Sequence, residues 1–517
     1  MRYCDTNTGV GAKERPHNQA TDKQSNTTTR ISTGIEGLDE ILDGGLIPRQ
    51  AYLLRGGPGC GKTTLGFHFL HAGKQLGERC LCLTLGETAA ALQQNASAIG
   101  IDLTDVPILD LSPGIDFFVQ NQSYDLFVAA DVEREPFSRQ LIETVEKIKP
   151  QRIFLDAMTQ LRYLATDLFQ FRKQTLSLLR FLSEQGATIL FTSEQSAAMP
   201  DDDLQFISDG VFELAYTNSM RTISVSKFRG SDFRGGAHAM KLTPQGMQIF
   251  PRLLPEQHSR PFPWETISSG IPSLDELLHG GIERGTISLI TGPSGVGKST
   301  LGLQFMKEAA GRGERSIVFT FEERKETLLR RCESINIPIR KMMQRGTLSI
   351  QQIEPLHYTA DEFAALVRHE VEAQETAIVM IDSISGYRLS LAGADLISHL
   401  HALCKYLQNM GIAVLLINEV EAITGEFRAT EIGVSYLTDN IIFLRYMEWS
   451  GQLRRAIGVL KKRLTDFERS MREISITRYG IQVGKPLIGL QGILTGRLEA
   501  HRSHHHNGRE QEHDSLL

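Results

Sequence analysis

Gly292-Pro293-Ser294-Gly295-Val296-Gly297-Lys298-Ser299 decides how the rest of this chain is read. Its spacing is G-x-x-x-x-G-K-[ST], that of a phosphate-binding loop. An apolar run, Ile287-Ser288-Leu289-Ile290, precedes it, and the helix-like Thr300-Leu301-Gly302-Leu303-Gln304-Phe305-Met306 follows. Strand, loop and helix in that order are the context the motif requires. Glycines permit positive φ and leave backbone N–H groups bare, which makes an anion nest at a helix N-terminus. Ser294, Gly295, Val296, Gly297 and Thr300 are therefore expected around ATP, with Lys298 reaching the β- and γ-phosphates and the Ser299 hydroxyl ligating Mg²⁺.

The motif occurs twice. Gly56-Gly57-Pro58-Gly59-Cys60-Gly61-Lys62-Thr63 repeats it 236 positions earlier, and Ile31–Leu70 matches Ile267–Met306 at 19 of 40 positions without a gap. Chance would give about two or three, so the chain carries a duplicated domain. Gly57, Gly59, Cys60, Gly61, Lys62, Thr63 and Thr64 form the first expected ATP site. Both copies open alike, on Ile31-Ser32-Thr33-Gly34-Ile35 and Ile267-Ser268-Ser269-Gly270-Ile271.

A chain of 517 residues accommodates this duplication as two domains. They are expected at residues 30–254 and 265–497, joined by a linker at 255–264 within the proline-bearing stretch Arg252–Trp264. Polar tails, 1–29 and 498–517, flank them and are expected to be disordered. The second holds His501, His504, His505 and His506, read as a solvated end rather than a metal site. The net charge of −6 supplies no field that draws the chain to nucleic acid or anionic membrane. No apolar run reaches the roughly 18–20 residues of a membrane span. The N-terminus lacks a signal-peptide core, and the six cysteines suggest no disulfide framework. Cys80 and Cys82, the one close pair, would point to opposite faces of a strand. A reducing, cytoplasmic setting is expected.

Strand-like runs alternate with helical stretches along each domain. In the first, Ala51–Leu54, Cys80–Leu85, Ile153–Asp156 and Thr188–Glu194 read as strands, with helices at Phe137–Lys149 and Phe171–Gln185. In the second, Ser316–Phe321, Ala377–Ile381 and Ile412–Ile417 repeat the order. That alternation predicts an α/β fold in each half, a mostly parallel sheet flanked by helices. Ligands bind such sheets at the carboxyl ends of the strands. Asp156 and Asp382 close apolar strands and fit the role of holding Mg²⁺. Glu322 and Glu323 follow the adjacent strand, where a carboxylate can orient and deprotonate an attacking group. Glu322 is also a candidate metal ligand. The first domain offers Glu87 alone, because Gly86 takes the partner position. Cations gather late in each domain: Lys227, Arg229 and Arg234, then Arg454, Arg455, Lys461, Lys462 and Arg463. They either guard a solvated strand edge or reach a phosphate across a subunit boundary.

These residues resemble the KaiC family of tandem RecA-like P-loop ATPases and autokinases. The resemblance spans about residues 30–497 and rests on the paired loops, the Ile-Ser-x-Gly-Ile phrase, Glu322-Glu323, Asp382-Ser383 and Lys227-Phe228-Arg229-Gly230. It implies two tandem RecA-like domains in a double-ring homohexamer with ATP between neighbours. It implies ATP contacts from Lys227, Phe228, Arg229, Ser231, Arg455, Lys461, Lys462, Arg463 and Thr465. The first ring would hydrolyse ATP and the second would phosphorylate its own Ser/Thr residues, with Mg²⁺ as cofactor. Ser435 matches one family acceptor, and Thr430 a nearby threonine; Tyr436 stands where the family has the second acceptor. Leu464 replaces a family glycine, and Pro113–Pro136 does not look like the loop that receives KaiB. The chain reads as KaiC-like outside the clock subgroup, with a KaiB-like or other signalling protein as its partner class. Two further readings share the fold: a RecA-type recombinase or helicase acting on DNA, and an ATP-assembled scaffold without turnover. The acidic charge and the lack of a separate DNA-binding module weigh against the first.

Overall fold

The computed structural model describes residues 29–112, 130–165, 167–194, 201–217, 219–354, 357–389, 396–420, 434–449, 451–488, 490–491 and 499–500. The expectations for Thr430, for nearly all of both tails and for most of Pro113–Pro136 fall outside these residues; within the second tail, Glu499–Ala500 pairs as a short antiparallel strand with Leu490–Gln491 rather than being disordered.

The first half builds one nine-stranded sheet. Its strands are β1 (Ala51–Gly56), β2 (Cys80–Thr84), β3 (Ile108–Asp110), β4 (Arg152–Asp156), β5 (Thr188–Glu194), β6 (Gly210–Thr217), β7 (Met220–Phe228), β8 (Ala237–Thr243) and β9 (Gly246–Phe250). Their spatial order is β3-β2-β4-β5-β1-β6-β7-β8-β9. A small pair follows, β10 (Thr266–Ile267) with β11 (Ile282–Glu283). The second half then builds β12 (Ile287–Gly292), β13 (Ser316–Thr320), β14 (Leu348–Gln352), β15 (Ile378–Asp382), β16 (Ala413–Glu419), β17 (Asn440–Trp449), β18 (Gln452–Lys462), β19 (Arg472–Thr477) and β20 (Gly480–Pro486). Their order, β14-β13-β15-β16-β12-β17-β18-β19-β20, repeats the first sheet strand for strand. The duplication seen in the sequence is thus a duplication of topology, and the expected α/β class is what the chain adopts.

The parallel strands are short Val/Ile/Leu runs because both of their faces are covered. β13 and β12 are buried along their full lengths. Alternation sends Val318, Met380, Leu415 and Ile290 into one apolar cluster. It sends Ile317, Phe319, Val379, Ile381, Val414, Leu416 and Leu289 into another on the opposite face. The pairing from β14 through β12 to β17 is parallel. From β17 to β20 it is antiparallel, built from hairpins. The edge strands β3 and β14 and the hairpin strands β8, β9, β19 and β20 were not among the sequence expectations. Their patterns are short or half-exposed, with weak period-two contrast. The expected helices lie at Ala130–Ile148 and Leu168–Glu184. Between β9 and β10 the regular piece is a 3₁₀ turn at Pro255–Gln257. Among the described residues no helix is long and apolar enough to cross a membrane.

Candidate nucleotide site

Register sets the site. In the second sheet Thr320 pairs with Asp382, and Gly292 with Glu419, so the strand ends and their following residues line one edge. The helix Lys298–Gly311 starts there, behind Gly297 at φ +112°. A Cβ at Gly297 would meet the tip of the Ile476 side chain, which can yield, and it is the positive φ, strained for any other residue, that calls for glycine. A cavity of about 460 Å³ opens over the loop, lined among others by Ser294, Gly295, Lys298, Ser299, Glu322, Asp382 and Arg455. Val296 is buried beneath the loop, and Thr300 lines the cavity.

Lys298 donates to the Pro293 carbonyl at 2.8 Å and lies 3.6 Å from Glu419. Burial pulls its ammonium below the usual lysine range, against the pull of Glu419, Asp382 and Glu322. Asp382 is pushed the other way. Burial raises its carboxyl, Ser299's hydroxyl bond and Arg331 lower it, and Glu323 and Glu322 add like charge. The site thus concentrates negative charge around one buried lysine, a balance that a divalent cation and a phosphate chain would complete. Glu322 accepts from the Ser383 hydroxyl at 2.6 Å. Glu323 is held by Arg331 through two bonds, at 3.2 and 2.7 Å, and Arg331 reaches on to Thr300 at 2.9 Å.

In the first domain Lys62, Thr63 and Thr64 begin the helix Lys62–Gln75 behind Gly59, Cys60 and Gly61, with Gly57 ahead of them in the loop and Cys60 buried. Thr63 donates to Asp156 at 2.7 Å, the same hydroxyl-to-carboxylate contact as Ser299 with Asp382. Glu87 accepts from Asn95 at 3.1 Å.

The late cations are placed in three ways. Arg455 lines the cavity of its own loop, and its buried Nε meets no acceptor among the described residues. Arg221, on the matching strand of the first domain, donates to Gly59 of that loop at 3.3 Å. Lys461 and Arg463 instead hold the stretch before β17: Lys461 donates to the carbonyls of Ser435 (3.1 Å) and Thr438 (2.6 Å), and Arg463 to that of Tyr436 (3.2 Å). Lys227 does the same with Gln205 and Ser208, at 2.8 and 2.6 Å, and Arg229 pairs with Asp209 at 3.3 Å. Burial and the adjacent guanidinium lower the ammonium groups of Lys227 and Lys461 alike. Phe228 stacks on Tyr52, and Ser231 accepts from Arg30. Lys462 is placed differently from the expectation. Strand alternation turns it away from Lys461, its side chain is 0% exposed, and it pairs with Glu283 at 2.8 Å. Thr465 completes that cluster by donating to Glu283 at 2.9 Å. Ser435 sits half-buried in a 3₁₀ turn, Val434–Tyr436, while Tyr436 is exposed.

Arg331, Ser383, Glu419 and Arg221 were given no role by sequence reasoning. Glu419 ends a strand at the expected edge and was findable by that rule. Arg331 carries no such signal, since it reaches back from a helix eight residues after Glu323.

The paired loops on matching parallel sheets define a tandem nucleotide-binding ATPase of the P-loop, RecA-like class. The KaiC ATPase family matches residues 31–253 and again 267–488, so the chain belongs to that family. It is 28% identical to the circadian clock oscillator protein KaiC of Parasynechococcus marenigrum, over 90% of this chain and 92% of that protein. It is 29% identical to the circadian clock protein KaiC3 of Synechocystis sp., over 92% of this chain and 95% of that protein. The KaiC of Rippkaea orientalis is also 29% identical, over 93% and 94%.

Proposed function

We propose that this protein hydrolyses ATP at both loops and, at the second, transfers phosphate to its own Ser435. The observation that carries the reading is the grouping of Lys298, Ser299, Asp382 and a hydroxyl-bonded Glu322 around one cavity. The residues fit Mg²⁺-ATP. Arg455's buried Nε meets no acceptor among the described residues, and Ser294, Gly295 and Gly297 line the same cavity as Lys298, which suits a phosphate held against loop backbone. Among the described residues no three His, Cys, Asp or Glu converge as a ready metal cage. That suits Mg²⁺, which takes one or two protein oxygens and fills its shell with water and phosphate. Ser299 with Asp382, and Thr63 with Asp156, would hold it, with Glu322 beside the first pair.

Bound Mg²⁺-ATP supplies the transferable phosphoryl group and screens its charge. Lys298 binds the phosphate chain, giving up its bond to Pro293. Glu322 takes the proton of the attacking hydroxyl, with Glu323 beside it on Arg331, and Glu87 takes that of water in the first domain. Ser435 is the acceptor and Thr430 the reserve. Tyr436 carries its oxygen too far from its backbone to replace serine without main-chain movement.

Lys227, Arg229, Lys461 and Arg463, flanked by Phe228 and Ser231, would meet ATP held by a neighbouring copy in a homohexamer. The domains at 30–254 and 265–497 would each form one ring. A KaiB-like or other signalling protein would read the phosphorylation state. Mass spectrometry after incubation with Mg²⁺-ATP tests the central claim. Phosphate is expected on Ser435, little on Tyr436, and none in Glu322→Gln; Tyr436 as the main site, or labelling undiminished in Glu322→Gln, would refute it. Turnover at background would leave a scaffold that ATP only assembles.

A further inference from the structure

The two sites differ in which glutamate is free. Glu87 and Glu323 occupy equivalent positions, 236 residues apart, and share one backbone device. The Thr84 hydroxyl donates to the Glu87 carbonyl at 2.6 Å, and that of Thr320 to the Glu323 carbonyl at 3.0 Å. Eight residues further on, Asn95 and Arg331 are also equivalent. Their difference decides the side chain above. Asn95 gives Glu87 one neutral bond, to a single oxygen. Arg331 engages both oxygens of Glu323 and anchors its third arm on Thr300. A carboxylate forked on a guanidinium makes two charge-assisted bonds that hold both of its oxygens in place, so neither is free to turn toward an attacking group.

The neighbouring position differs in the complementary sense. Glu322 has Gly86 as its counterpart, and Ser383 has Ala157, so the hydrogen-bonded pair is missing as a unit from the first site. Ser383 is 4% exposed, and its oxygen accepts the Gly386 N–H at 3.2 Å, so its proton has one direction, toward Glu322.

We propose that Arg331 and Ser383 are positioning residues that move the base of the second site one residue upstream: Arg331 withdraws Glu323 and Ser383 aims Glu322. The proposal rests on the reading of that site as an ATP-processing centre. The first site has Glu87 alone, whose neutral partner Asn95 engages one oxygen and leaves the other open. The shift places the second base on the side of β15, next to the metal-holding Asp382, where Ser383 follows it in the chain. It gives the two rings different bases on one fold.

A double-mutant cycle in the full chain tests this, with Glu87→Gln throughout so that turnover reports the second site. With Arg331 present, Glu322→Gln is expected to lower kcat by roughly 10²–10⁴-fold, the usual loss of a general base. In Arg331→Asn the released Glu323 takes over, and the same Glu322→Gln change is expected to cost less than about tenfold. Arg331→Gln should give the same result, which separates release of Glu323 from a folding defect, and melting curves check each variant. Equal losses in the two backgrounds overturn the role of Arg331. Ser383→Ala is expected to lower kcat with KM unmoved, and Ser383→Thr to restore it. An inert Ser383→Ala, or one that acts through KM alone, overturns the role of Ser383. No turnover in Glu87→Gln itself would overturn the second-site reading and the proposal together, a result distinct from either of the others.

Discussion

Gly66→Ala tests how tightly the phosphate-binding helix is built onto the strand that carries Asp156. Gly66 lies in the helix Lys62–Gln75, and a Cβ there would stand 2.2 Å from two ring atoms of Phe154 and 2.4 Å from a third. Ordinary carbon contacts are about 3.5–4.0 Å, so helix and ring must part by more than about 1 Å. Phe154 is fully buried and its ring is flat and rigid, which leaves backbone displacement as the main relief. Overpacking of this kind costs about 1–3 kcal/mol, and the severity of the contact puts it at the upper end. Alanine's better helix propensity returns about 1 kcal/mol. The net loss is about 2 kcal/mol, which for a domain of this size lowers the melting temperature by about 4–8 °C. The equivalent Gly302→Ala meets the Met380 sulfur at 2.4 Å. Methionine is unbranched and can swing aside, so that change is expected to be milder, within about 1 kcal/mol. Differential scanning calorimetry of the full chain reads both. The displaced helix also pulls Thr63 from Asp156, so Gly66→Ala should weaken Mg²⁺-ATP binding by titration calorimetry. A Gly66→Ala protein as stable as the parent, or more so, refutes the reasoning.

Asp382→Asn is expected to raise stability at pH 7 without Mg²⁺ and to abolish stabilisation by Mg²⁺-ATP. The carboxyl's folded-state value is raised, so its favourable contribution is complete below its ordinary value of 3.8 and is lost as pH rises through the raised one. The melting-temperature gain of the variant should therefore grow from acid toward neutral pH, and a gain that shrinks along that path contradicts the assignment. Glu87→Gln, in protein whose second site is silenced by Lys298→Ala, should lower ATP turnover by roughly 10²–10⁴-fold. Turnover that survives makes Glu87 a structural residue.

The sequence alone determined the duplication, the α/β class and the loop-bearing edge, because each rests on local pattern. G-x-x-x-x-G-K-[ST] is a contiguous backbone device, and buried parallel strands are contiguous apolar runs. Asp156, Asp382 and the Glu322-Glu323 pair were legible for the same reason, each being the first polar residue after such a run. What the tertiary structure decided is which of these groups touch. Arg331 meets Glu323 only through the fold of the intervening turn onto the site, and Ser383 meets Glu322 only because β13 and β15 are neighbours. Lys461 and Lys462 are adjacent in sequence, but the strand sends one to the turn at Ser435 and buries the other on Glu283. Side-chain direction on a strand alternates with every residue, and which face meets which partner is fixed by the sheet as a whole.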